Sequence, residues 1–279
     1  MPLTHLLALL TVLTLTITGV AAAEAHGEHQ APRGAASLDQ ANALKISQSA
    51  IGRTVGDYRL SDPQGKTVSL REFRGRPLVL SLIYTSCYHT CPTLTNHLAQ
   101  VVEIAQDALG QDSFSVLTIG FDAANDTPER MRIFARERAI DLPNWRFLST
   151  DQETISGLTQ DLGFLYYASP KGFDHLAQTT VLDANGQVYR QVYGEDFAPP
   201  SLIEPLKQLV FGTRASATSL SGWVNSIRLF CTLYDPSTGR YHFDYSIFIS
   251  IGISLLSLGA VAVFLVRAWR QSRPRRSTA

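Results

Sequence analysis

The chain has 279 residues, 45% of them hydrophobic and 17% charged, with 24 basic side chains against 24 acidic ones. That suits one globular domain with an apolar segment attached. Five arginines (Arg267, Arg270, Arg273, Arg275 and Arg276) follow Val266 with no acid among them, which leaves 19 basic against 24 acidic residues elsewhere. A net-acidic folded part excludes a nucleic-acid binder, and three cysteines exclude a disulfide framework as the main source of stability.

Residues 1–23 carry no charged side chain apart from His5 and end in Ala21-Ala22-Ala23. This reads as a secretory signal peptide, with an uncleaved N-terminal anchor as the alternative because Lys and Arg are missing from its start. Residues 24–54 are polar and rich in small side chains, and read as a flexible leader with a helical tendency near Leu44. His26 and His29 in it read as a solvated tail.

A folded pattern starts near Gly56 and defines a domain over residues 55–212. Two short strand-like runs flank the turn Asp62-Pro63-Gln64-Gly65. The continuous apolar run after Pro77 predicts a buried central strand. Residues 92–109 follow helical spacing, with Leu94, Leu98, Val101, Val102, Ile104, Ala105 and Leu109 apolar. "FSVLTIGFD" predicts a second buried strand, and Thr127-Pro128-Glu129 opens a helix with a cap, a proline and an acid in its first turn. "NWRFLS" is a short strand. Asp151 caps the next helix, which stops at Gly163. "QTTVLDANGQVYRQVYG" reads as a hairpin turning at Ala184-Asn185-Gly186, and a final amphipathic helix covers 199–210. Strand–helix alternation followed by an antiparallel pair predicts an α/β fold, a mixed sheet with helices on both faces.

After a juxtamembrane linker over 213–244, residues 245–266 are uncharged. A membrane span needs about 20 apolar residues, and this segment supplies them. The arginine-rich tail over 267–279 favours the cytoplasmic side. The predicted arrangement is a single-pass inner-membrane protein with its domain in the periplasm.

Cys87 and Cys91 stand where the first central strand meets its helix, at the strand end where α/β sheets gather their sites. A helix N-terminus favours a thiolate there. In a helix, residues four apart share a face, so both sulfurs can point the same way. The spacing allows either a redox-active pair or a clamp on a soft ion such as Cu(I) or Zn(II). An imidazole is the usual further ligand, and His89, His97 and His175 are the candidates. His97 and His89 read first as structural or surface residues. His175 precedes a strand expected to run beside the first central strand, which brings its loop toward the cysteines. Asp126 and Thr127 read as turn and cap residues, Asp174 as a partner that orients His175, and Cys231 as a spare or structural thiol.

Three segments together, "YTSCYHTCP", "GFDAANDTPERMRIFA" and "DHLAQTTVLDANGQVYRQVYG", resemble the Sco/SenC family over most of the exported part. The resemblance implies a thioredoxin-like domain that binds one copper through Cys87, Cys91 and His175. It also implies a metallochaperone that delivers copper to the dinuclear site of cytochrome c oxidase, or keeps that site's thiols reduced. Its partners would be the copper-bearing oxidase subunit, a periplasmic copper donor and a thiol reductant. The C-terminal anchor departs from the N-terminal helix or lipid common in the family. The competing function is a periplasmic thiol-disulfide oxidoreductase using Cys87 and Cys91. Against it, no proline lies between Asp174 and Asp183, where thioredoxin-like enzymes usually carry one.

Overall fold

The computed structural model describes residues 38–212, 232–236 and 238–272. The signal over 1–23, the leader histidines His26 and His29, Cys231 and the last arginines lie outside the described residues. In chain order the elements are α1 (Gln40–Ser49), β1 (Arg59–Ser61), β2 (Thr67–Ser69), β3 (Leu78–Ile83), α2 (Thr90–Leu109) and β4 (Ser115–Gly120). There follow α3 (Pro128–Glu137), β5 (Trp145–Leu148), α4 (Gln152–Leu162), β6 (Tyr166–Ser169), β7 (Gly172–His175), β8 (Gln178–Leu182) and β9 (Val188–Tyr193). Then come α5 (Pro200–Lys207), β10 (Thr232–Asp235), β11 (Arg240–Phe243) and α6 (Ser246–Ser272).

The central sheet has five strands in the order β5-β4-β3-β8-β9. β3 runs parallel to β4 and antiparallel to β8, and β9 closes the far edge antiparallel to β8. β3 and β4 are buried along their whole length, as strands covered on both faces must be. The predicted mixed α/β sheet is therefore the observed one. The pairing of Ser81 with Thr179 sets β8 directly beside β3.

Local chemistry places the elements. Thr127 accepts the Arg130 N–H at the start of α3, and Asp151 accepts the Thr154 N–H at the start of α4. Each satisfies one of the orphan donors of a first helical turn. Gly163 ends α4 at φ 63°, a left-handed conformation that suits glycine. α2 buries Cys91, Leu94, Leu98, Val101, Val102, Ala105 and Leu109, one face at helical spacing.

Two segments are more structured than their sequence suggested. α1 lies within the stretch read as leader and docks through Ala43, Ser47 and Ala50, all buried. The Ser47 hydroxyl donates to Gln178 Oε1 at 2.6 Å. In the stretch read as linker, β10 and β11 form a hairpin, and β11 packs against α2. α6 is long and apolar enough to cross a membrane, with its side chains exposed; the helix continues through Arg267 and Arg270, beyond the span read from sequence.

Candidate metal centre

Between β3 and α2 the chain passes through Tyr84, Thr85, Cys87 and His89. Cys87 is half-buried and Cys91, in the first turn of α2, is buried; both are free thiols. No side chain caps α2 at His89. The Cys87 sulfur takes that place, accepting the Cys91 N–H at 3.4 Å. Pro92, third in the helix, lacks an N–H where none is needed. Interaction with the Cys91 side chain is the largest influence lowering the Cys87 thiol, with smaller contributions from the Cys91 and His89 amides and the Tyr84 side chain. Together these outweigh burial and hold Cys87 down to about 4. Cys91 moves the other way, because its proton serves Cys87 and because it is buried. Of the two, Cys87 is the one favoured as thiolate.

His175 ends β7, opposite Tyr166. Its ring lies among Tyr84, Phe121 and Phe164, with centroids at 6.1, 5.4 and 5.2 Å. Nδ1 is 2.8 Å from the Leu176 carbonyl oxygen. A carbonyl only accepts, so Nδ1 carries the proton and Nε2 keeps its lone pair. Burial lowers the pKa, which favours that neutral form. Asp174, expected to orient the ring, is exposed, and the Leu176 carbonyl does this instead. Among the described residues no three His, Cys, Asp or Glu side chains stand gathered around a common point. Tyr84, three residues before Cys87, sets its ring edge-on to the His175 ring at 6.1 Å.

The other histidines are accounted for separately. His97 sends Nε2 to the Phe197 carbonyl at 2.7 Å and stacks edge-on against the Phe197 ring. That is a structural role, tying α2 to the loop after β9. His89 is exposed at the helix start.

Asp126 does more than a turn residue. It is buried, and Oδ1 accepts both the N–H and the hydroxyl of Thr85 at 2.7 Å, while Oδ2 accepts the Asp122 N–H at 2.9 Å. It fixes the start of the cysteine loop to the β4–α3 loop. Gly120 makes room for it, since a Cβ there would clash with the Asp126 side chain. Thiolate sulfur is a soft donor and neutral imidazole a borderline one, a set that matches Cu(I) or Zn(II) rather than magnesium or calcium.

A mixed sheet with a cysteine pair at its first central strand–helix junction defines a thioredoxin-like protein. Residues 47–210 match the SCO1/SenC family, and the chain belongs to that family. Its members are copper-binding proteins of cytochrome c oxidase assembly. A SCO2-like protein of Rickettsia felis is 31% identical over 165 residues, covering 54% of this chain and 75% of that protein. The SCO1 protein homolog of Bacillus subtilis is 26% identical over 151 residues, covering 52% and 76%. Among solved structures, a putative electron transfer protein from Aquifex aeolicus superposes with a TM-score of 0.52 at 29% identity, covering 56% of this chain and 92% of that one.

Proposed function

We propose that this chain binds one copper ion through Cys87, Cys91 and His175. It then hands the ion to the copper-bearing subunit of cytochrome c oxidase during assembly. The observation that carries this reading is the state of the three donors. Cys87, Cys91 whose backbone N–H donates to the Cys87 sulfur at 3.4 Å, and the His175 imidazole whose Nδ1 is held by the Leu176 carbonyl lie at the same end of the sheet. Neutral imidazole and thiolate are the forms that bind metal. Binding Cu(I) releases the Cys91 proton, and two sulfurs and one nitrogen make a three-coordinate site that suits Cu(I) and also accepts Cu(II). Transfer is ligand exchange: an incoming partner thiolate replaces one donor at a time, and no electrons move when the ion stays Cu(I). A Cys87–Cys91 disulfide has no thiolate to offer, so loading requires a reductant as well as a copper donor.

α6 serves as the membrane anchor in this reading. The signal sends the domain to the periplasm, and the arginine-rich end stays in the cytoplasm.

The low pKa of Cys87 favours a second reading, a thiol-disulfide oxidoreductase. The Cys87 thiolate would attack a partner disulfide, and Cys91 would then resolve the mixed disulfide. The partner leaves as a dithiol and the Cys87–Cys91 disulfide remains, two electrons having passed to the partner. Anaerobic titration of the reduced, detergent-solubilised full chain with Cu(I) separates the two. One equivalent bound, and none by Cys87→Ser, is the expected result. No copper binding together with strong disulfide reductase activity would establish the second reading instead.

A further inference from the structure

β11 runs into α6 with only Asp244 and Tyr245 between them. The Asp244 carboxylate caps the helix, accepting the Ser246 N–H at 2.8 Å, and the Ile249 N–H bonds back to the Tyr245 carbonyl at 3.0 Å. The Phe243 ring spans the junction, 4.8 Å from the Tyr245 ring and 6.0 Å from that of Phe248 in the first turn of α6. Backbone and rings together fix how the strand turns into the helix.

The β10–β11 hairpin is fastened to the domain in its turn. Lys207 on α5 is buried, and its ammonium donates to the Thr232 carbonyl of β10 at 2.6 Å and pairs with Glu204 at 3.3 Å. The Tyr241 hydroxyl of β11 donates to the same Glu204 at 3.0 Å, and the Tyr241 ring lies 5.3 Å from that of Tyr234, its partner across the ladder. An apolar side chain would cover this surface in several arrangements. A buried ammonium is tolerated only where its acceptors stand in place, so it admits one docked geometry. β11 also packs against α2, the helix that carries Cys91.

Aromatic rings gather at the two boundaries of a membrane. On α6, Phe248 and Trp269 are both exposed and stand about 31 Å apart along the helix, against about 30 Å for a hydrocarbon core. The near boundary then falls at the first turn of α6, where the hairpin ends. We propose that the β10–β11 hairpin, fastened by Lys207, Glu204 and Tyr241, is a rigid joint that seats the domain on the bilayer surface in one orientation. A free tether would let the cysteine face turn in any direction. The joint instead presents it at one height, which suits a partner whose own site stands above the same bilayer. The inference rests on reading α6 as the membrane anchor.

The test uses the full chain, free of metal, in lipid nanodiscs. A fluorophore is introduced through an unnatural amino acid at Asp112 or at Ala124, exposed positions in the loops before and after β4. Time-resolved energy transfer to labelled lipid headgroups then reads the spread of its height above the bilayer. Replacing residues 232–243 by a Gly-Ser linker of equal length gives the spread of a free tether, on the order of 20 Å. The unaltered chain should show one height at each position, with a spread at least about threefold narrower. Lys207→Met, which lies outside β10, β11 and α6, should widen that spread about twofold or more while the melting temperature shows the domain folded. A spread in the unaltered chain equal to the tether's, or no widening in Lys207→Met, overturns the joint. Flotation with liposomes reads the anchor separately: a chain that fails to float overturns α6 as a span and the joint with it, whereas a chain that floats with a broad spread overturns the joint alone.

Discussion

One proton is divided unequally between Cys87 and Cys91, and this asymmetry is the most testable property at the scale of single residues. Because the Cys87 pKa is lowered to about 4, its thiolate persists as pH falls from neutral and is lost only as pH passes that value. Alkylation of reduced protein, followed by mass spectrometry, should modify Cys87 at a nearly constant rate from about pH 8 to pH 5 and leave Cys91 unmodified. An ordinary thiol would slow tenfold for each pH unit over the same range. Asp126 is the second residue with a sharp expectation. Asp126→Ala leaves the Thr85 amide, the Thr85 hydroxyl and the Asp122 amide without their acceptor. Urea unfolding should show a loss of about 2–4 kcal/mol, and Asp126→Asn should recover part of it. The cysteine pair was legible in the sequence from its spacing and its place before a helix. The orientation of His175 by Leu176 and the Asp126 network were not. Each depends on which groups the fold brings together, and Asp126 meets Thr85 across 41 positions of chain.

At the scale of elements, the strands and helices of the domain carried their own punctuation. Thr127, Asp151 and Gly163 act at the helix ends where their chemistry placed them, and Asn185-Gly186 lies in the β8–β9 turn. The β6–β7 hairpin was missed for a physical reason. Its strands are only half-buried, and it turns at Pro170-Lys171 without the Asn-Gly or Asp-Gly signal of a tight hairpin. α1 was read only as a helical tendency near Leu44 and the β10–β11 hairpin was missed, because both are held by contacts to distant parts of the chain. Lys207 shows how the second is held. Its ammonium is buried, donates to the Thr232 carbonyl at 2.6 Å and pairs with Glu204 at 3.3 Å, while the Tyr241 hydroxyl donates to Glu204 at 3.0 Å. Lys207→Met keeps the stem and removes the charge, leaving the Thr232 carbonyl without its donor and Glu204 with only the Tyr241 hydroxyl. Hydrogen exchange over residues 232–243 should then accelerate, consistent with a loss of about 1–3 kcal/mol in hairpin docking, while β3 and β4 keep their protection.

At the scale of the whole molecule, two parts have separate physical origins. The domain buries continuous apolar strands between helices, and α6 exposes an apolar surface that only a membrane or another protein would cover. The mixed sheet was legible because strand–helix alternation followed by an antiparallel pair leaves few topologies, and the strand after His175 was expected beside β3, where β8 lies. Convergence of the three donors is the central claim, and X-ray absorption of the copper-loaded, reduced full chain reads it directly. Two sulfur scatterers and one imidazole nitrogen around a single copper are expected, with the imidazole scattering absent in His175→Ala. A copper surrounded by sulfur alone, or an imidazole signal that survives His175→Ala, would contradict it.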